Sequence, residues 1–136
     1  MTAGYSGTPL ARKLSLKDGM RVWWEDMRDS VRAEIESGGL ALDHLAAPAA
    51  PIDAVHIFVT LREDMAERLT RLRPLLAPGG FIWVSWPKKA SKVPTDITED
   101  VIRAIIQKND VLVDVKVCAV DEVWSGLKLV IRVEHR

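Results

Sequence analysis

The residues with most chemical potential in this chain are Ser85-Trp86-Pro87-Lys88-Lys89-Ala90-Ser91-Lys92. Three lysines stand beside a tryptophan, just past an apolar run that reads as a strand. Ammonium groups next to an indole face could hold an anionic or planar ligand. The plainer alternative is a solvated basic loop whose Trp86 packs on the core. A second cluster is Asp121-Glu122-Val123-Trp124-Ser125-Gly126. Its two acids could supply a general base and its indole a stacking surface. Consecutive strand residues face opposite ways, so the acids need not act together. The plainer reading is a hairpin or bulge with Trp124 as a core plug. The candidate ligand-binding residues are therefore Ser85, Trp86, Lys88, Lys89, Lys92, Asp121, Glu122 and Trp124, with no catalytic group assigned.

The other reactive side chains offer less. His56 lies inside an apolar run and reads as a structural imidazole. His44 and His135 have no partners at ligand spacing, so no metal site is expected. Cys118 is the single cysteine, which excludes an intramolecular disulfide and a cysteine-rich zinc site. There is no Gly-x-Ser-x-Gly elbow, no P-loop and no Gly-x-Gly-x-x-Gly. No cofactor is expected from these patterns.

Composition narrows the class. The chain has 136 residues, enough for one domain with a real core. Basic and acidic residues balance at 19 each, which argues against a nucleic-acid or anionic-membrane partner engaged over the whole surface. The first residues lack a basic-then-apolar leader pattern, and no apolar run is long enough to span a bilayer. The expectation is a cytoplasmic protein with no membrane partner. A homo-oligomer remains open.

These candidates need elements to hold them. Residues 1–19 read as a mildly basic arm docked by Leu10, Leu14 and Leu16, and residues 20–136 as one domain. Met20 to Trp24 reads as a strand, and Glu25 to Ser37 as a helix with Val31 and Ile35 on its apolar stripe. Gly38-Gly39 caps it, and Leu40 to Leu42 reads as a short strand. Asp53 to Val59 is nearly all apolar, the pattern of a strand covered on both faces. Thr60 and Glu63 predict a capping box, followed by a stripe of Met65, Leu69, Leu72 and Leu76. Pro78-Gly79-Gly80 reads as the turn into a buried strand from Phe81 to Trp86. Asp96 and Glu99 predict a second cap, for a helix carrying Val101, Ile102, Ile105 and Ile106. Residues 111–118 and 127–133 alternate with period two, and their short connection predicts an antiparallel pair.

Strands alternating with helices imply an α/β fold: a truncated, doubly wound, mostly parallel Rossmann-type sheet closed by a C-terminal antiparallel hairpin. A flavodoxin-like sheet is the alternative, which the hairpin disfavours. From Asp53 to Val133 the order resembles the class I, S-adenosylmethionine-dependent methyltransferases. Asp53, Leu76-Ala77-Pro78-Gly79-Gly80 and the two terminal strands match the stations of that family. The resemblance implies a glycine-rich cofactor loop after the first strand. Here that stretch is Trp23-Trp24-Glu25-Asp26-Met27-Arg28, with no glycine, and only Asp43 is a loose candidate for gripping a ribose. The chain also resembles an uncharacterised bacterial family of unknown function in its Tyr5–Leu10, Ser85–Lys89 and Val120–Lys128 segments.

Five tryptophans are many for this length, and Trp23 and Trp24, as strand neighbours, must face opposite sides. At least one of them is expected to line a groove or subunit interface, and the pair to fill the place of the cofactor loop. The leading expectation is a non-catalytic methyltransferase-like domain that works by binding or self-association. The alternative is a small-molecule enzyme, or an atypical methyltransferase, using the crevice near Trp86, Lys88, Lys89 and the Asp121-to-Trp124 loop.

Overall fold

The computed structural model describes residues 8–136. The Tyr5-to-Gly7 part of the N-terminal motif lies outside the described residues. A six-stranded sheet runs in the order β2-β1-β3-β4-β6-β5. Its strands are β1 (Arg21–Glu25), β2 (Asp43–His44), β3 (Ile52–Phe58), β4 (Leu76–Pro87), β5 (Leu112–Ala119) and β6 (Trp124–Ile131). The first four pair in parallel, and β6 inserts antiparallel between β4 and the edge strand β5. The expected α/β architecture with a closing hairpin is therefore present.

Helices cover both faces. On one face, α3 (Arg62–Leu72) and α4 (Glu99–Gln107) bury Met65, Leu69, Leu72, Ile102 and Ile106 against Val55, Ile57, Ile82 and Val84. On the other, α1 (Leu10–Lys13) and α2 (Asp29–Glu36) bury Leu10, Val31 and Ile35 against Ala54, Phe58, Phe81 and Trp83. Sandwiching β3 between these layers explains its nearly continuous apolar run. The arm is docked: Leu14 is buried, and its carbonyl oxygen accepts from Trp83 Nε1 at 2.9 Å. Among the described residues, no helix is long and apolar enough to cross a membrane.

Several local expectations change. Glu25 is the last residue of β1, not the first of a helix, and α2 begins at Asp29 after Asp26 takes a left-handed turn at φ 57°. The second strand falls at Asp43–His44 rather than Leu40–Leu42. Thr60 does not cap α3, whose first residue is Arg62. The Arg62 amide donates to Asp96 Oδ1 at 2.7 Å, so a loop remote in sequence supplies the cap. Asp96 is thus unavailable to α4, where Thr98 accepts from the Val101 amide. Pro78-Gly79-Gly80 lies within β4 rather than forming a turn before it. Pairing jumps from Ile52–Leu76 to Ala54–Phe81, so the extra residues bulge out. A Cβ on Gly80 would lie 2.7 Å from the Ile52 carbonyl oxygen, which is why the strand needs glycine there. A second irregularity, between Asp114 and Lys116, interrupts the alternation of β5 and leaves Val115 and Val117 exposed.

Candidate functional site

The chain passes from β1 to the outer strand β2 and then back across to β3, so a topological switch point lies between β1 and β3. In open α/β sheets, ligand crevices form at the carboxyl ends of strands at such a point. Here those ends are Glu25, Phe58 and Pro87, joined by the start of β6, since Pro87 pairs with Trp124.

A column of side chains fills the α2 side of this edge. Arg28 places its guanidinium carbon 5.0 Å from the Trp124 ring centre, a cation–π contact. Trp124 meets Phe58 edge-on at 5.1 Å, and Phe58 stacks on His56 at 4.6 Å. His56 Nε2 and Ser85 Oγ are hydrogen-bonded at 2.7 Å. His56 and Ser85 are both buried, and burial pushes the imidazole down to about 3, so it is neutral at physiological pH. His56 thus has the structural character its apolar run predicts. Cys118 is also buried, which raises its thiol.

The carboxyl end of β1 is held by ion pairs. The Glu25 carboxylate accepts from Arg71 at 2.9 and 3.0 Å, from Arg68 at 3.2 Å and from Trp23 Nε1 at 2.7 Å. Arg68 also reaches Asp26 at 2.7 Å and Asp64 at 2.9 Å. Burial pulls the Glu25 carboxyl upward, but the arginine and indole donors outweigh it and leave it below its ordinary range. Against the cost of burial, Asp64 and Asp26 raise Arg68, and Glu25 and Glu67 raise Arg71. The local signal for this cluster is the spacing Asp64–Arg68 and Glu67–Arg71 on α3, but nothing local points to Glu25. Trp24, half-buried on the other face, is flanked by His44 at 4.7 Å and Arg32 at 5.1 Å.

The eight residues singled out in the sequence do not form one site. Ser85 faces the α2 layer, while Trp86 is buried in the α3/α4 core. Trp124 is buried, as a core plug would be. Asp121 Oδ1 accepts from the Val123 and Trp124 amides at 2.8 and 2.7 Å, so its carboxylate holds the turn. Lys88 is brought to that turn, donating through Nζ to the Asp121 carbonyl oxygen at 2.7 Å. Lys89, Lys92 and Glu122 are exposed. Among the described residues, no group of three or more His, Cys, Asp or Glu is placed to hold a metal ion. Two cavities formed by described residues lie away from this edge. One of about 150 Å³ sits between α3 and α4, and one of about 300 Å³ at the amino end of β4.

Among solved structures, the chain matches a SAM-dependent methyltransferase from Aquifex aeolicus with a TM-score of 0.61, covering 90% of this chain and 87% of that one at 16% identity. The fold is methyltransferase-like. A ribosomal protein L11 methylase from Lactobacillus delbrueckii subsp. bulgaricus matches with a TM-score of 0.53, 12% identity and coverage of 90% and 74%. A magnesium protoporphyrin IX methyltransferase from Synechocystis PCC 6803, with bound SAM, gives 0.54, 12% and the same coverage. No family model and no curated protein matches the sequence. At these identities the likeness establishes the fold, and the reaction has to be argued from the site.

Proposed function

We propose that this chain is a methyltransferase-like domain that has given up the adenosylmethionine site and acts through binding or self-association. The observation that carries the reading is the state of the β1 carboxyl end. Glu25 and Asp26 are tied to Arg68 and Arg71, and Arg28 lies over Trp124. A cofactor loop in this fold needs bare backbone at that point. Here the loop presents four side chains, three of them engaged with neighbours, and the fourth, Met27, is buried in the core. These engaged side chains argue against an adenosylmethionine pocket at this point.

The exposed Lys89 and Lys92 remain the surface proposed for a small anionic or planar ligand. The balanced charge, 19 basic against 19 acidic residues, supports a protein that engages neither nucleic acid nor an anionic membrane over its whole surface. The test is calorimetric titration of the purified protein with S-adenosylhomocysteine. Absence of binding heat, together with unchanged tryptophan fluorescence, is the expected result. Saturable one-to-one binding would overturn the reading and make an atypical methyltransferase the working assignment.

A further inference from the structure

The cavity of about 300 Å³ lies at the other end of the sheet from the switch point. It exists because of the Pro-Gly-Gly bulge. Residues 77–80 leave the β3–β4 ladder, while β6 stops at Ile131 beside them. Leu76, Pro78 and Ile131 supply an apolar wall, and Arg73, His135 and Arg136 supply nitrogen donors, with no acidic residue in the lining. Arg136 is anchored there, its Nε donating to the Ile131 carbonyl oxygen at 2.8 Å.

Arg73 sits in the short 3₁₀ turn after α3, next to Pro74. Its Nε is buried and has no hydrogen-bond partner among the described residues. A buried guanidinium N–H without an acceptor is costly, and native structures seldom leave one. The Nε of nearby Arg132 is likewise buried without a hydrogen-bond partner among the described residues, but it has an ion-pair partner, Asp110 Oδ1 at 3.0 Å. Arg73 itself is half-buried, lines the cavity and makes no ion pair among the described residues, so an anion entering there would meet a guanidinium that no carboxylate neutralises.

We propose that this cavity binds a small organic anion, a carboxylate or phosphate ester carried on an apolar body. The guanidinium of Arg73 takes the anionic oxygens, and Leu76, Pro78 and Ile131 take the body. A volume near the lower limit of small-molecule sites restricts the ligand to a compact one. The proposal concerns the opposite edge from the lost-cofactor reading, so either stands if the other fails.

The experiment is a nitrogen-15 NMR titration of the whole chain with phenyl phosphate, with inorganic phosphate and benzyl alcohol as the separated halves of the probe. Saturable shifts at the Leu76, Val111 and His135 amides are expected. The affinity should exceed that of either half by about tenfold or more. Arg73→Met should abolish the shifts. His135→Ala, in an exposed terminal turn, should weaken binding and leave folding intact. Shifts confined to Lys89 and Lys92, binding unaffected by both substitutions, or no shift at millimolar probe would each overturn the proposal.

Discussion

Mild acid should destabilise this protein through His56. The imidazole is buried and stacked on Phe58, and burial lowers it from 6.5 to about 3. In the unfolded chain it regains its ordinary basicity, so between those values the unfolded state binds the proton and the folded state does not. Stability is therefore complete above the unfolded value and is lost as pH falls from about 6.5 toward about 3. Each pH unit below the upper limit removes about 1.4 kcal/mol, so about 3 kcal/mol is lost at about pH 4.5. A domain of this size has about 5–15 kcal/mol in all, so the loss is large but leaves it folded. Glu25 acts in the same direction, with stability present above the ordinary carboxylate range and lost as pH falls below it, so stopping at about pH 4.5 largely separates the two. The assay is urea unfolding at a series of pH values, followed by tryptophan fluorescence. His56→Gln keeps a hydrogen-bonding group for Ser85 but cannot take up the proton. The variant should be weaker at neutral pH and should lose the dependence between about pH 6.5 and 4.5. NMR should show the His56 ring unprotonated throughout that range, its signals distinguished from those of the exposed His44 and His135. A ring that titrates near its ordinary value, or a variant that keeps the wild-type slope, would refute the reasoning.

Other substitutions test the rest of the architecture. Gly80→Ala forces a Cβ within 2.7 Å of the Ile52 carbonyl oxygen and should cost about 2–3 kcal/mol in urea unfolding; an unchanged midpoint would mean the bulge relaxes freely. Asp96→Ala should cost about 1 kcal/mol by removing the acceptor for the Arg62 amide, while Thr60→Val should be near neutral, and the reverse order would restore the local capping box. Arg68→Met removes a partner of Glu25 and of Asp26 and should cost about 2 kcal/mol. It should also raise the Glu25 carboxyl in a carbon-13 titration, and an unmoved carboxyl would remove Arg68 from the network's account.

The elements that periodicity describes well are those whose environment is uniform. Strand β3 is apolar but for Asp53 and His56 because both of its faces are covered, and α3 keeps its stripe because one face meets that strand. Where the environment changes partway along an element, local reading fails. Thr60 and Glu63 have the spacing of a capping box, yet the loop carrying Asp96 crosses the same helix end and supplies a carboxylate instead. Pro78 and two glycines have turn chemistry, yet the neighbouring strand extends the pairing past them and converts the turn to a bulge. The site is less legible still. The column from Arg28 through Trp124, Phe58 and His56 to Ser85 draws on three strands and the loop before α2, and only the strand order makes them neighbours. The Glu25 cluster was hidden for the same reason, since α3 reaches it only after the β3 crossover.

That distinction decides what remains of the basic loop. Read in sequence, Lys88, Lys89 and Lys92 are equivalent. Once folded, Lys88 braces the Asp121 turn while Lys89 and Lys92 stay exposed. Lys88→Met should therefore cost stability by freeing the turn that seats Trp124. The double substitution Lys89→Ser with Lys92→Ser should change unfolding by no more than about 0.5 kcal/mol. Lys92 adopts a left-handed backbone at φ 62°, so serine there keeps a residue of similar tolerance. If the double variant is as stable as the parent yet loses an anion that the parent binds, the loop is a binding surface. If it loses stability comparable to Lys88→Met, the two lysines are structural and the loop has no claim to a ligand.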